Sequence, residues 1–209
     1  MRKFTIIILA GILFFTHSSQ VYAQGADFRM LQSINGWAPG MKPLSVIITE
    51  TATPIMLAVP VGIGSYGLFA KEDEFLKDAL YIGVASGLNW GMTELLKASF
   101  RRERPINTWP GQLDVYEYRT DYAMPSGHTS GAFATATALS LSYPKWYVIA
   151  PAYVWASSVG FSRMHLGLHY PSDVLAGAAL GAGSAWLTWK LNQWLWTKYD
   201  LKDRRFIKK

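Results

Sequence analysis

The chain has 209 residues, half of them hydrophobic and 16% charged, with a net charge of +6 and no cysteine. That length suits one domain with a sizeable core, and the missing cysteines exclude a disulfide framework and thiol chemistry. The balance is apolar for a soluble protein and too polar for a bundle made only of membrane spans, while the positive charge points to an anionic partner: nucleic acid, phosphate or anionic lipid.

The N-terminus reads "MRKFTIIILAGILFF", then "THSSQVYAQ". A basic start, a 12-residue apolar stretch and short side chains at Val21 and Ala23 fit a secretory signal peptide cut after Ala23. The competing reading is an uncleaved first membrane span, for which twelve residues are short. Either way, residue 24 onward starts outside the cytoplasm and forms a single domain, 24–209. No internal repeat, low-complexity tract or dividing linker interrupts it.

Uncharged apolar stretches follow at 51–70, 79–93, 129–144, 146–162 and 174–189. Several are shorter than the roughly 20 residues of an ideal span, yet their small residues suit close helix contacts, and together they predict an all-α helical bundle with five or six membrane helices. Gly177 and Gly181 form a GxxxG pair suited to a close helix contact. Nine Trp and eleven Tyr suit a membrane–water interface, although a large soluble core also holds such residues. The alternative is a soluble all-helical domain. The charge map favours the membrane. "KEDEFLKD" (71–78), "YPKWY" (143–147) and the tail from Trp196, with six basic and two acidic residues, fall on one side. With residue 24 outside, that side is the cytoplasm, in keeping with the positive-inside tendency. "KASFRRERP", "MPSGHTSG" and "SRMHLGLHYPSD" fall together on the outer side.

Those three polar clusters need a common explanation. Lys97, Arg101 and Arg104 stand at i, i+4 and i+7, so they share one helical face, and such a run is costly beside apolar helices unless an anion neutralises it. Ser126 can cap the following helix and supply a hydroxyl donor. Gly127 lets backbone approach a ligand, and the helix start aims free N–H groups at the same spot, with His128 beside them. In the third cluster His165 and His169 are four apart, a zinc-ligand spacing, with Asp173 four beyond. Pro171 breaks a continuous helical face there and suits the first turn of a new helix. The simpler role for Asp173 is to fix the tautomer of a neighbouring imidazole.

The pattern Lys97-x6-Arg104-Pro105, then Pro125-Ser126-Gly127-His128, then Ser162-Arg163-x5-His169-x3-Asp173, in that order and with gaps of 19 and 33 residues, resembles the type 2 phosphatidic acid phosphatase superfamily. The resemblance implies metal-independent removal of phosphate through a phosphohistidine, without a cofactor. By motif position His169 is the nucleophile, Asp173 its orienting partner, and His128 the acid that protonates the leaving oxygen. Lys97, Arg104, Arg163, Ser126 and the Gly127 backbone bind the phosphoryl group. Arg101 and Arg102 lie outside the pattern and contact a headgroup or water. His165 is expected to be structural, and the aromatic loop 106–124 either shapes specificity or rests at the membrane surface.

The implied substrate is a membrane lipid phosphate or diphosphate, such as lipid A, undecaprenyl pyrophosphate, phosphatidylglycerol phosphate or phosphatidic acid. It would be met at the periplasmic face of the bacterial inner membrane, with no nucleic acid involved. A soluble periplasmic acid phosphatase of the same superfamily is the alternative. The related vanadate-dependent haloperoxidases are generally much longer. A non-enzymatic anionic-lipid-binding protein would not need two histidines and Asp173.

Overall fold

A computed structural model describes residues 20–198, which are helices joined by turns and loops, with no strand among the described residues. Of the expected signal peptide or first span, residues 1–19 lie outside the described residues, as does most of the basic tail, while residues 20–23 open the first helix.

The helices are α1 (Gln20–Gly36), α2 (Lys42–Ala70), α3 (Asp73–Phe100), the single turn α4 (Pro105–Thr108), α5 (Gly127–Ser142), α6 (Trp146–His165) and α7 (Pro171–Lys198). A 3-10 turn, Pro39–Met41, leads into α2. Each predicted apolar stretch lies mainly within one of the long helices. The ends extend past the apolar runs because polar residues continue the helix at both ends of the bundle. As Pro171 suggests, α7 begins at that residue, where a missing N–H costs nothing.

At the centre stands α5, short and built largely from Ala, Ser, Thr and Gly, in contact with α2, α3, α6 and α7. Small side chains let four neighbours approach one helix. The GxxxG pair of α7 makes the closest approach. A Cβ at Gly181 would stand 2.1 Å from the Ser130 carbonyl oxygen, and one at Gly177 would stand 2.7 Å from that of Ser126. No side chain fits at either position, so the two glycines set the distance between α5 and α7.

The exterior is apolar. On α2 Val61 and Phe69 are 66% and 89% exposed, and on α3 Leu80 and Trp90 are 68% and 69% exposed. Buried positions, by contrast, include Thr49, Asp78, Asn89, Thr93 and Lys97. One helical stretch, Pro39–Ala70, is long and apolar enough to cross a membrane by length and composition among the described residues. The other helices of the expected set carry polar groups inward and charges at their ends, which lowers their average apolarity while their outward faces stay apolar.

The three polar clusters meet at one end of the bundle, where α3 and α6 finish and α5 and α7 begin. The opposite end holds the α2–α3 turn with Lys71 and Glu72 and the α5–α6 turn with Lys145. Exposed aromatics mark both ends: Trp37, Tyr118 and Tyr122 at the first, Phe69, Trp146 and Tyr147 at the second.

Candidate active site

The end of α3 departs from the sequence expectation. Lys97, Arg101 and Arg104 do not share a helical face, because the helix stops at Phe100. Arg101 adopts the left-handed conformation (φ 49°) and its N–H donates to the Lys97 carbonyl at 3.0 Å. Arg104 is extended, ahead of Pro105, which opens α4. The reversal carries Arg104 back into the bundle, where it is 2% exposed. Arg101 stays outside and donates from Nε to the Ala98 carbonyl at 3.1 Å, closing its own helix end.

Lys97 and Arg104 converge on one carboxylate. Lys97 Nζ lies 2.5 Å from Asp121 Oδ2, and Arg104 Nη2 lies 2.8 Å from Asp121 Oδ1. Arg104 Nε donates to the Asp121 carbonyl at 2.9 Å, and Nη1 donates to the Leu168 carbonyl at 2.8 Å. Burial alone would raise the Asp121 carboxyl pKa. The Lys97 hydrogen bond and the Arg104 charge outweigh it and hold the group well below the usual carboxylate range.

The same Arg104 Nη1 stands 3.2 Å from His169 Nε2. Burial, then the charges of Arg104, Arg163 and Lys97, hold the His169 pKa well below its ordinary value, so the ring is neutral. A guanidinium can only donate, so Nε2 presents its lone pair and the proton sits on Nδ1. Nδ1 faces Asp173 Oδ2 at 3.6 Å, beyond hydrogen-bond length, and has no partner. Asp173 is held by others: Arg102 Nη1 donates to Oδ1 at 2.7 Å, and the Tyr170 N–H donates to Oδ2 at 2.9 Å. Arg102, expected to contact a headgroup or water, makes hydrogen bonds within the protein. It ties Asp173 to Asp27 of α1, which its Nη2 reaches at 2.7 Å, and lies over the Tyr170 ring at 4.0 Å.

Ser126 occupies the N-cap position of α5 but makes no side-chain cap bond. Its Oγ is fully buried and pairs with Thr129 Oγ1 at 2.9 Å, a pair in which either hydroxyl can donate. Its backbone N–H donates to the Asp173 carbonyl at 3.0 Å, joining the second motif to the third. Gly127 opens α5, where an added Cβ would meet only Thr93 at an ordinary 3.7 Å. The space beside it is cavity. Arg163, 1% exposed, donates from Nη1 to Thr49 Oγ1 of α2 at 2.6 Å, while its Nε has no partner. His165 is a structural residue. Nε2 donates to the Trp37 carbonyl at 2.7 Å, and Nδ1 accepts from Ser45 Oγ at 2.8 Å. Both nitrogens are committed, which leaves no lone pair for a metal.

Lys97, Arg104, Gly127, His128, Arg163 and His169 all line one cavity of about 630 Å³. Ser126 and Asp173 stand behind it and hold its walls. The cavity continues between α2 and α3 past Met56, Leu57, Pro60 and Trp90, with Gly83 and Gly87 widening the α3 side. An anion seated at the polar end would meet Arg163, the start of α5 and the bare nitrogen of a neutral imidazole, and would share Lys97 and Arg104 with Asp121.

Sequence reasoning missed Asp121 and Arg119, both of which line this cavity. A signal was present: from Val115 to Tyr122 charged residues at odd positions alternate with tyrosines at 116, 118 and 122, a period of two that marks an extended segment. Burial in the segment alternates in the same way from 113 to 120.

The family model of the PAP2 superfamily matches residues 78–197, more than half of the chain. A lipid A 1-phosphatase of Porphyromonas gingivalis is 32% identical over 151 residues, 71% of this chain and 30% of that protein. An undecaprenyl-diphosphatase of Sulfolobus acidocaldarius is 41% identical over 95 residues, 46% of each chain. The chain thus spans less than half the length of these two relatives. Among solved structures, a transmembrane PAP2-type phosphatidylglycerolphosphate phosphatase from Bacillus subtilis shares the fold. Its TM-score is 0.72, with 24% identity over 90% of this chain and 95% of that one.

Proposed function

The chain belongs to the PAP2 superfamily, and from that premise we propose that it is a membrane phosphatase that hydrolyses a lipid phosphate or diphosphate through a phosphohistidine at His169. The observation that carries this reading is the single cavity that joins the cationic, two-histidine end to an apolar cleft between α2 and α3. A phosphoryl group fits the first part and a lipid chain fits the second. The names of the relatives, lipid A phosphatases and undecaprenyl-diphosphatases, are those of phosphoric ester and anhydride hydrolases.

In the proposed reaction the substrate phosphate replaces Arg104 in front of His169, whose Nε2 lone pair attacks phosphorus. The P–O bond to the leaving group breaks, and His128, which takes up a proton brought by the incoming phosphate, gives that oxygen the proton. Charge on the equatorial oxygens is met by Lys97, Arg104 and Arg163 and by the Gly127 N–H at the start of α5. As the His169 ring becomes cationic, Nδ1–H strengthens its interaction with Asp173. His128, now neutral, takes a proton from water, which attacks the phosphorus and frees His169. Metal ions have no step in this sequence.

Location is part of the proposal: residues 24–209 form one domain in the inner membrane with the site at the periplasmic face. The apolar exterior and the aromatics at both ends support the membrane. The test is phosphate release by detergent-purified protein from lipid A, undecaprenyl diphosphate, phosphatidylglycerol phosphate and phosphatidic acid, with and without a strong chelator. Release from at least one lipid, unchanged by chelation, is expected. Activity confined to soluble esters, or active protein in a detergent-free extract, overturns the reading.

A further inference from the structure

Arg119 is a cation in the same cavity that the three motifs do not include. It stands on the extended segment that carries Asp121, two residues before the carboxylate seated on Lys97 and Arg104. At roughly 3.3 Å per extended residue, its Cα lies about 6–7 Å along the chain from that of Asp121. Its Nε is 2.5 Å from Glu117 Oε1, two residues earlier, and both side chains are about one-third exposed. Glu117 fixes the guanidinium by that one nitrogen. The two terminal nitrogens make no hydrogen bond among the described residues, unlike those of Arg102 and Arg104. Arg119 thus presents an uncommitted donor fork in the cavity, outside the set of cations that would hold the scissile phosphoryl group. A planar fork of this kind suits a phosphate oxygen pair.

We propose that Arg119 binds a second phosphoryl group of the substrate, the one that leaves, so that the site is built for a lipid diphosphate rather than a lipid monophosphate. This rests on the lipid phosphatase reading and names its substrate class. With the terminal phosphorus before His169 Nε2, the N–P bond forms as the bond from that phosphorus to the bridging oxygen breaks. The electron pair goes to the bridging oxygen, and the lipid monophosphate departs. Arg119 meets the charge that gathers on that departing group. A monophosphate ester leaves as an alcohol, with no anion for Arg119 to hold.

The probes are farnesyl monophosphate and farnesyl diphosphate in detergent, which share one chain and differ by one phosphate. The native protein is expected to favour the diphosphate by at least tenfold in kcat/KM. Arg119→Gln is expected to lower the diphosphate value by about 10- to 100-fold, the scale of a lost charge-assisted hydrogen bond, and the monophosphate value by less than about threefold. Arg119→Lys, which keeps the charge without the fork, is expected to fall between. Equal losses on both substrates, no loss on either, or no diphosphate preference in the native protein overturns the inference and leaves the phosphatase reading standing. If the native protein cleaves neither probe nor any lipid of the panel, the phosphatase reading falls, and this inference falls with it.

Discussion

His165 and His169 lie four residues apart and are both buried, yet they sit in opposite kinds of surroundings. Around His165, an acceptor at Trp37 and a hydroxyl at Ser45 use both ring nitrogens. Around His169, the only close partner of Nε2 among the described residues is a guanidinium at 3.2 Å, and Nδ1 has none among them. A fully partnered buried polar group adds rigidity, while an unpartnered one carries an energetic cost. The first region is finished as a folded structure. The second keeps unspent hydrogen-bonding capacity, which is what the proposed nucleophile requires.

The largest test of that contrast is His169→Ala. It should abolish the acid-labile phosphoenzyme and lower turnover by about four orders of magnitude or more, the scale seen when a covalent nucleophile is removed. Acid-quench trapping with labelled substrate reads it directly, and phosphate trapped on His169→Ala overturns the assignment. Next comes His128→Ala. An alkyl phosphate should slow by about 10²- to 10⁴-fold, whereas nitrophenyl phosphate, whose leaving group needs little proton help, should slow far less and still give phosphoenzyme. Equal losses on the two substrates would remove His128 from the proton-donor role.

The finished region should respond differently. His165→Ala leaves the Ser45 hydroxyl and the part-buried Trp37 carbonyl without this partner, at about 1–3 kcal/mol for the buried hydroxyl. It should lower the unfolding temperature in detergent, while the folded fraction still forms phosphoenzyme. Loss of phosphoenzyme at full folding would place His165 in the chemistry. The smallest effect is on pH. Because burial and three nearby cations lower the His169 pKa, the ring stays neutral as pH falls through 6.5 and becomes protonated only well below it. With a diphosphate substrate, the acid limb of kcat/KM assigned to this group should therefore lie below pH 6.5. A limb above that value contradicts the buried cationic setting.

Much of this site was legible in the sequence because its parts are local. Pro125 to His128 is one turn entering a helix, and Pro171 sits where α7 starts. Helical periodicity failed at Arg101, where a non-glycine residue takes a left-handed conformation that no spacing rule anticipates. The shared face of Lys97, Arg101 and Arg104 disappeared there. The ion pairs of Asp121 and the bonds from Arg102 to Asp173 and Asp27 join residues 17 to 75 positions apart. Pairings of that range are decided by how helix ends meet, and charge alone does not reveal them. The small residues of α5 and the glycines of α7 were visible, but only the packing shows that they face each other.

The bond from Arg163 to Thr49 links the two halves of the cavity. Thr49 lies on α2, one to three turns before Thr53, Met56, Leu57 and Pro60, which wall the apolar cleft. A chain that settles against α2 and a phosphate that settles against Arg163 thus press on one rigid element. Thermodynamic reciprocity then applies: whatever factor the chain adds to phosphate affinity, the phosphate adds to chain affinity. Shortening the substrate's tail should weaken binding of the headgroup by more than the lost apolar contact alone, and loosening Thr49 should return the two affinities to independence.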